Sequence, residues 1–136
     1  MVEALLGSTP IRLKFFHVRL AYSEDMDSMG RFALRKVWVL FATIMKVWWG
    51  RIRYRTSMLY YPPSGPNMVP VLRDIAFLCA TRWMFRWIVF HYHAGGISGF
   101  GPRLPIMLRP LFRWAYWNAD LSIRTAPQNP EDGRLL

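Results

Sequence analysis

The segment Val89-Phe90-His91-Tyr92-His93-Ala94-Gly95-Gly96 predicts the end of a strand and points to a site. Its first half completes an apolar run that begins at Trp87, and such a short run is typical of a buried strand. Because side chains alternate along a strand, His91 and His93 are expected on one face. In open α/β sheets ligands bind just beyond the carboxyl ends of the strands, so the sequence predicts a site at these two imidazoles.

Outward from this strand, short apolar segments alternate with segments of helical periodicity, which predicts a parallel α/β sheet. Strands are predicted at residues 11–20, 58–61, 87–92 and 120–124. Helices are predicted at residues 31–49, capped by Ser28 and ended by Gly50, at 69–84, and at 104–118 with a restart at Pro110. Loops are predicted at 62–67, which holds three prolines, and at 94–103, which holds four glycines.

Both ends of the chain predict an incomplete domain. Residues 1–6 have the pattern of a helix tail, and residues 130–132 have that of a first helical turn. Because a self-contained domain rarely ends inside a helix, we expect one partial, Rossmann-like α/β domain over residues 1–136. An incomplete sheet exposes strand edges, so marginal stability or aggregation is expected of the isolated chain.

The composition favours an anionic partner. The chain has 18 Lys and Arg against 8 Asp and Glu, a net charge of +10, together with 7 Trp, 6 Tyr and 9 Phe. Single-stranded nucleic acid, whose bases stack on aromatic rings, and an anionic membrane surface both fit this composition. A basic and aromatic flank is either a solvated face or a membrane-contact patch, and its three tryptophans favour the membrane. It comprises Arg35, Lys36, Trp38, Lys46, Trp48, Trp49, Arg51, Arg53 and Arg55.

Several classes are disfavoured by the sequence. Cys79 is the single cysteine, which excludes an intramolecular disulfide and a thiolate metal cluster, and its apolar neighbours predict an inert, buried thiol. The first ten residues lack the pattern of a secretory signal, and no run of about 18 uncharged apolar residues occurs. The expected location is therefore cytoplasmic, with peripheral association at the inner face of the membrane.

The histidine pair has more than one interpretation. Two imidazoles on one face could ligate a metal, but a third ligand is not evident, so no metal site is predicted. We favour one imidazole facing a ligand, as a partner for a sugar hydroxyl or a phosphate, and the other bonded to backbone. The alternative is a purely structural pair. The glycines that follow form either an anion nest or a plain turn, and they do not match G-x-G-x-x-G.

The loop after the strand at 58–61 is expected to border the same cleft. It holds Ser64 and Gly65, which would lie at the same edge of the sheet as Gly95 and Gly96. These four residues are therefore predicted to bind substrate. The adjacent Arg73-Asp74 pair is interpreted as a local charge contact on a helix.

Three segments taken in order resemble a known family. Residues 89–96, 108–116 and 119–123 resemble the N-terminal domain of GT-B glycosyltransferases of the family-four type. Residues 62–66 with Arg73-Asp74, and the segment 32–36 after Gly30, are similar to the preceding units of that domain. The resemblance implies metal-independent, retaining transfer of a sugar from a nucleotide-sugar donor to an acceptor, which can be lipid-linked. It also implies a cleft between two Rossmann-like domains.

By this resemblance His93 takes the catalytic position near the transferred sugar, and His91 lies on the substrate side. The family's first strand with its glycine-rich loop, and its nucleotide-binding C-terminal domain, have no counterpart in residues 1–136. We therefore expect a truncated, acceptor-side domain that is inactive without a C-terminal domain as partner. The alternative is a small basic protein, without catalysis, that binds a membrane surface or nucleic acid.

Overall fold

The computed structural model describes residues 16–18, 31–93, 95–125 and 132. Within these residues helices and strands alternate, which confirms the predicted α/β class. The elements are helix α1 (Arg31–Tyr54), strand β1 (Met58–Tyr61), helix α2 (Met68–Thr81), strand β2 (Trp87–Tyr92), helix α3 (Arg109–Tyr116) and strand β3 (Leu121–Arg124). Three 3₁₀ helices span Arg82–Met84, Ser98–Arg103 and Ile106–Leu108.

The three described strands form one open parallel sheet in the order β1-β2-β3. Leu59 pairs with Ile88, and His91 pairs with Ile123, so β2 lies in the centre. Parallel neighbours need crossover connections, and α2 and α3 supply them. The predicted helix tail at 1–6 and the Ser28 cap lie outside the described residues. The same holds for most of the predicted strand at 11–20, of which residues 16–18 have no regular structure.

The two faces of the sheet differ. One face carries Tyr61 and Phe90 and packs against α2 and α3, with Tyr61 stacked on Phe77 at 5.0 Å between ring centroids. Phe90 lies 5.9 Å from the ring of Tyr116 in α3. The opposite face carries His91, which is buried, and several exposed residues, namely Met58, Tyr60, Trp87 and Leu121. The histidines therefore lie on the face turned away from α2 and α3.

Helix α1 does not end at Gly50, as the sequence predicts, but continues to Tyr54. The chain turns at Arg55, whose φ of 51° lies in the left-handed region. Gly50 serves packing instead: a Cβ there would collide with the ring of Phe16. The glycine is needed for close approach of that ring and not for a helix stop.

Helix α2 is shorter than predicted, because residues 82–84 tighten into a 3₁₀ turn. The Ala80 carbonyl accepts hydrogen bonds from the indole N–H groups of Trp48 and Trp83, at 2.9 and 3.0 Å. A further α turn would need this carbonyl for the backbone N–H of Met84. The side chains thus compete with continuation of the helix.

Only residues 109–116 of the predicted helix at 104–118 form an α-helix. A 3₁₀ turn precedes α3, which begins at Arg109 with Pro110 in its first turn, as a restart at Pro110 predicts. The predicted loop at 94–103 also contains a 3₁₀ helix, anchored by the buried Ile97 and Phe100. The last strand begins at Leu121, one residue later than predicted.

None of the helices in the described part of the chain is long and apolar enough to cross a bilayer.

Candidate ligand site at the carboxyl ends of the strands

His91 in β2 and His93, directly after the strand, bring their rings together on one face, as alternation predicts. Their rings lie 4.2 Å apart between centroids, inclined by 30°. His91 is 4% exposed, whereas His93 is exposed beyond the end of the strand. The inner imidazole is thus packed against the outer one, and the outer one is accessible.

The partner of His91 is a side chain and not backbone, which corrects the sequence interpretation. The Tyr60 hydroxyl and the Nδ1 atom of His91 are hydrogen-bonded, and their rings meet edge to face at 5.9 Å. The strand register explains this contact, because Tyr60 pairs with Val89 and shares a face with His91. Sequence reasoning missed Tyr60, since only the register of β1 against β2 identifies it.

The surroundings favour a neutral His91. Burial lowers the pKa of His91, and the neighbouring His93 lowers it further. Burial also raises the pKa of the Tyr60 hydroxyl, so this group keeps its proton. A neutral imidazole accepting from Tyr60 at Nδ1 carries its own proton at Nε2. The pair therefore offers one fixed imidazole supporting one accessible imidazole.

The glycine loop after β2 forms an anion nest, and a carboxylate of the same chain fills it. The backbone N–H groups of Gly96 and Ser98 each donate to Asp132 at 2.9 Å, and the Ser98 hydroxyl donates at 2.6 Å. Asp132 is fully buried. Gly96 has a φ of 95°, a conformation that requires glycine. Of the two interpretations of the loop, the structure shows the anion nest, and the anion in it is the Asp132 carboxylate of the protein itself.

The loops that follow β1 and β2 adjoin, as the sequence predicts. A Cβ added to Gly96 would lie 3.9 Å from Pro66, and Gly65 and Gly95 are partly buried beside them. Ser64, however, is turned toward the protein. Its backbone N–H donates to Asp74 at 2.7 Å and its hydroxyl donates at 3.2 Å.

Asp74, in helix α2, anchors the loop after β1 through its hydrogen bonds with Ser64. The Tyr61 and Tyr116 hydroxyls donate to its carboxylate at 2.8 and 3.3 Å, and Arg73 pairs with it at 2.9 Å. Burial, followed by the charge of Asp74, raises the pKa of both tyrosines. The predicted charge contact between Arg73 and Asp74 is confirmed, and Asp74 is in addition fully buried. The helical spacing of Asp74 with Val71 and Leu78 was the signal for this.

A cleft of about 480 Å³ lies away from the histidines, at the amino ends of β2 and β3. Its walls are aromatic and basic, and they include Arg82, Trp83, Arg86, Trp114 and Trp117. The Arg82 guanidinium is occupied there, since it donates to the carbonyls of Trp114 and Ala115 at 3.0 and 2.8 Å. It therefore caps the carboxyl end of α3 and is not available to a ligand. Sequence reasoning did not anticipate this cleft.

Cys79 is half-buried, and burial raises the pKa of its thiol, in accord with the expected low reactivity. Among the described residues, no group of three His, Cys, Asp or Glu side chains could hold a metal ion.

Comparison with protein-family models finds no match, and searches of curated proteins and of solved structures find no significant similarity. The resemblance to glycosyltransferases therefore stays a prediction. The site is defined by its own geometry, which is the Tyr60–His91–His93 cluster beside two adjoining loops.

Proposed function

We propose that the chain is an acceptor-side domain of a GT-B-type glycosyltransferase and binds the hydroxyl groups of a sugar or lipid-linked acceptor at His93. The close pair of imidazole rings carries this proposal. His93 is accessible at the carboxyl end of the central strand, which is where open α/β sheets bind ligands. An imidazole there can donate a hydrogen bond to, or accept one from, a sugar hydroxyl.

Each neighbour has a distinct role in this proposal. His93 contacts the acceptor hydroxyl, His91 positions the ring of His93 by packing against it, and Tyr60 fixes the tautomer of His91. Gly95 and Gly96 border the acceptor at a place where larger side chains would crowd it. Gly65 lies in the adjoining loop, and Ser64 holds that loop to Asp74.

The state of the glycine loop supports a hydroxyl ligand over a phosphate. The loop groups that would hold a phosphate, the N–H groups of Gly96 and Ser98, donate to Asp132 instead. A phosphate would have to displace a buried carboxylate of the same charge sign. The nucleotide-sugar donor is therefore assigned to a partner domain, and the chain alone is expected to bind acceptor without transferring sugar.

Acceptor binding can be measured by saturation-transfer NMR with a panel of simple glycosides and the full chain. We expect saturable binding that shifts the His93 ring resonances and is lost in His93→Gln. The matched control is His17→Gln, which removes an exposed imidazole elsewhere and should leave binding intact. Binding that survives His93→Gln would refute the site. Binding of a nucleoside diphosphate at Gly96 and Ser98 would refute the acceptor-side assignment.

A further inference from the structure

Helix α1 carries an exposed apolar stripe along its length. The residues of the stripe are Leu34, Val37, Trp38, Phe41, Met45, Trp49 and Ile52. At about 100° per residue they fall within an arc of about 120°, and they extend over about 27 Å of helix. Exposure is high at both ends of the stripe, 75% at Leu34 and 71% at Ile52. So large a contiguous apolar surface marks an interaction site.

The stripe is not the side of α1 that packs on the protein. Thr43, Val47 and Gly50 are buried on the opposite side of the helix. Trp48 falls within the arc of the stripe but is partly buried, and it donates its indole N–H to the Ala80 carbonyl of α2 at 2.9 Å. Helix α1 is therefore apolar around much of its circumference, and its contacts among the described residues account for only part of that surface.

The charges of α1 have a single sign. Its sequence contains no acidic residue and six basic ones, namely Arg31, Arg35, Lys36, Lys46, Arg51 and Arg53. Arg35, Lys46 and Arg53 are exposed and follow one border of the stripe. Two copies of this helix packed face to face would bring like charges together, whereas an anionic partner would be attracted.

We propose that the stripe of α1 lies in the interface of an anionic lipid bilayer, with the helix parallel to the membrane surface. Leu34, Met45 and Ile52 favour lipid over single-stranded nucleic acid, because aliphatic side chains cannot stack on bases as aromatic rings do. Trp38 and Phe41, whose rings lie 5.8 Å apart, suit the depth of the headgroups. The basic side chains extend to the lipid phosphates while their stems cover apolar surface. This surface is independent of the proposed acceptor site.

The electrostatic part is tested by co-sedimentation of the full chain with phosphatidylcholine vesicles, with and without phosphatidylglycerol. We expect binding to the anionic vesicles, weakened about 25-fold in Lys46→Gln/Arg53→Gln, at about fivefold per basic residue. The control Arg103→Gln/Arg113→Gln has the same net charge as Lys46→Gln/Arg53→Gln but alters exposed residues outside α1. It should therefore bind the vesicles like the wild type. If both double substitutions weakened vesicle binding equally, binding would depend on net charge alone, which would refute the proposal.

The apolar part is tested by Leu34→Ser/Phe41→Ser, for which we expect binding to fall by more than about tenfold. The control is Ile106→Ser/Met107→Ser, which removes apolar groups near α3 that are at least as exposed. Circular dichroism of each variant checks that the fold is retained. Absence of vesicle binding by the wild type would overturn the proposal. So would a wild-type dimer that Leu34→Ser/Phe41→Ser dissociates, or tighter binding to a single-stranded oligonucleotide than to vesicles.

Discussion

Two buried carboxylates hold the loops at the candidate site. Asp74 accepts hydrogen bonds from the loop after β1, and Asp132 accepts them from the loop after β2. Each is fully buried, which is tolerated for so polar a group only where several donors surround it. The buried carboxylates thus shape the site from within the protein, whereas a ligand would contact other groups.

Replacement of Asp74 tests its supporting role. In Asp74→Ala the guanidinium of Arg73 and the hydroxyls of Tyr61 and Tyr116 lose their shared acceptor. We expect a loss of about 3–5 kcal/mol in the free energy of unfolding, measured by urea denaturation. Asp74→Asn keeps the shape and one acceptor oxygen and should lose less. Equal stability of Asp74→Ala and wild type would contradict the packing described.

The buried imidazole predicts a pH dependence of stability. Burial and His93 lower the pKa of His91 below its ordinary value of 6.5, so the unfolded chain binds the proton more readily. The contribution of His91 is therefore complete above that value and is lost as the pH falls below it. Thermal melts between pH 7.5 and 5 should show a steeper decline for the wild type than for His91→Gln. A control, His17→Gln, should keep the wild-type slope.

At the scale of elements, α1 shows how a glycine can belong to a long helix. Gly50 allows the ring of Phe16 to approach the helix backbone, and that ring also packs 6.1 Å from Trp49. The helix then runs on until Arg55 turns the chain into β1. Tertiary packing, and not helix propensity, sets this position.

A double substitution separates these two effects. Gly50→Ala alone should lower the free energy of unfolding by about 1–3 kcal/mol, because the new methyl group overlaps the ring of Phe16. In a Phe16→Ala background the same change should be neutral or stabilising by up to about 1 kcal/mol, since alanine is the better helix former. Denaturant melts of the four proteins give the coupling. Stabilisation by Gly50→Ala in the wild-type background would contradict the contact.

At the scale of the whole molecule, contacts distant in sequence unite the carboxyl edge of the sheet. Asp132 joins Gly96 and Ser98, Asp74 joins β1 to α3 through Tyr61 and Tyr116, and the strand register brings Tyr60 to His91. The helices cover one side of the sheet, while the histidine side carries exposed apolar groups such as Trp87 and Leu121.

The link from residue 132 to the glycine loop can be measured directly. Asp132→Ala should lower the free energy of unfolding by about 1–3 kcal/mol, because the amides of Gly96 and Ser98 lose their acceptor. Hydrogen exchange at those two amides should accelerate more than exchange in β2. Asp132→Asn, which retains one acceptor oxygen, should lie between Asp132→Ala and the wild type. Unchanged exchange at Gly96 would show that Asp132 does not hold the loop.

Local sequence pattern predicts the α/β alternation, the bounds of β1 and β2, the proline loop and the shared face of His91 and His93. These follow from local periodicity, since strands alternate every two residues and prolines forbid regular pairing. Long-range contacts set the partner of His91, the carboxylate in the glycine nest and the length of α1. Each of these depends on which distant groups meet, such as Tyr60 with His91 or Asp132 with Gly96. Local sequence pattern does not predict these long-range contacts, because they result from strand register and core packing.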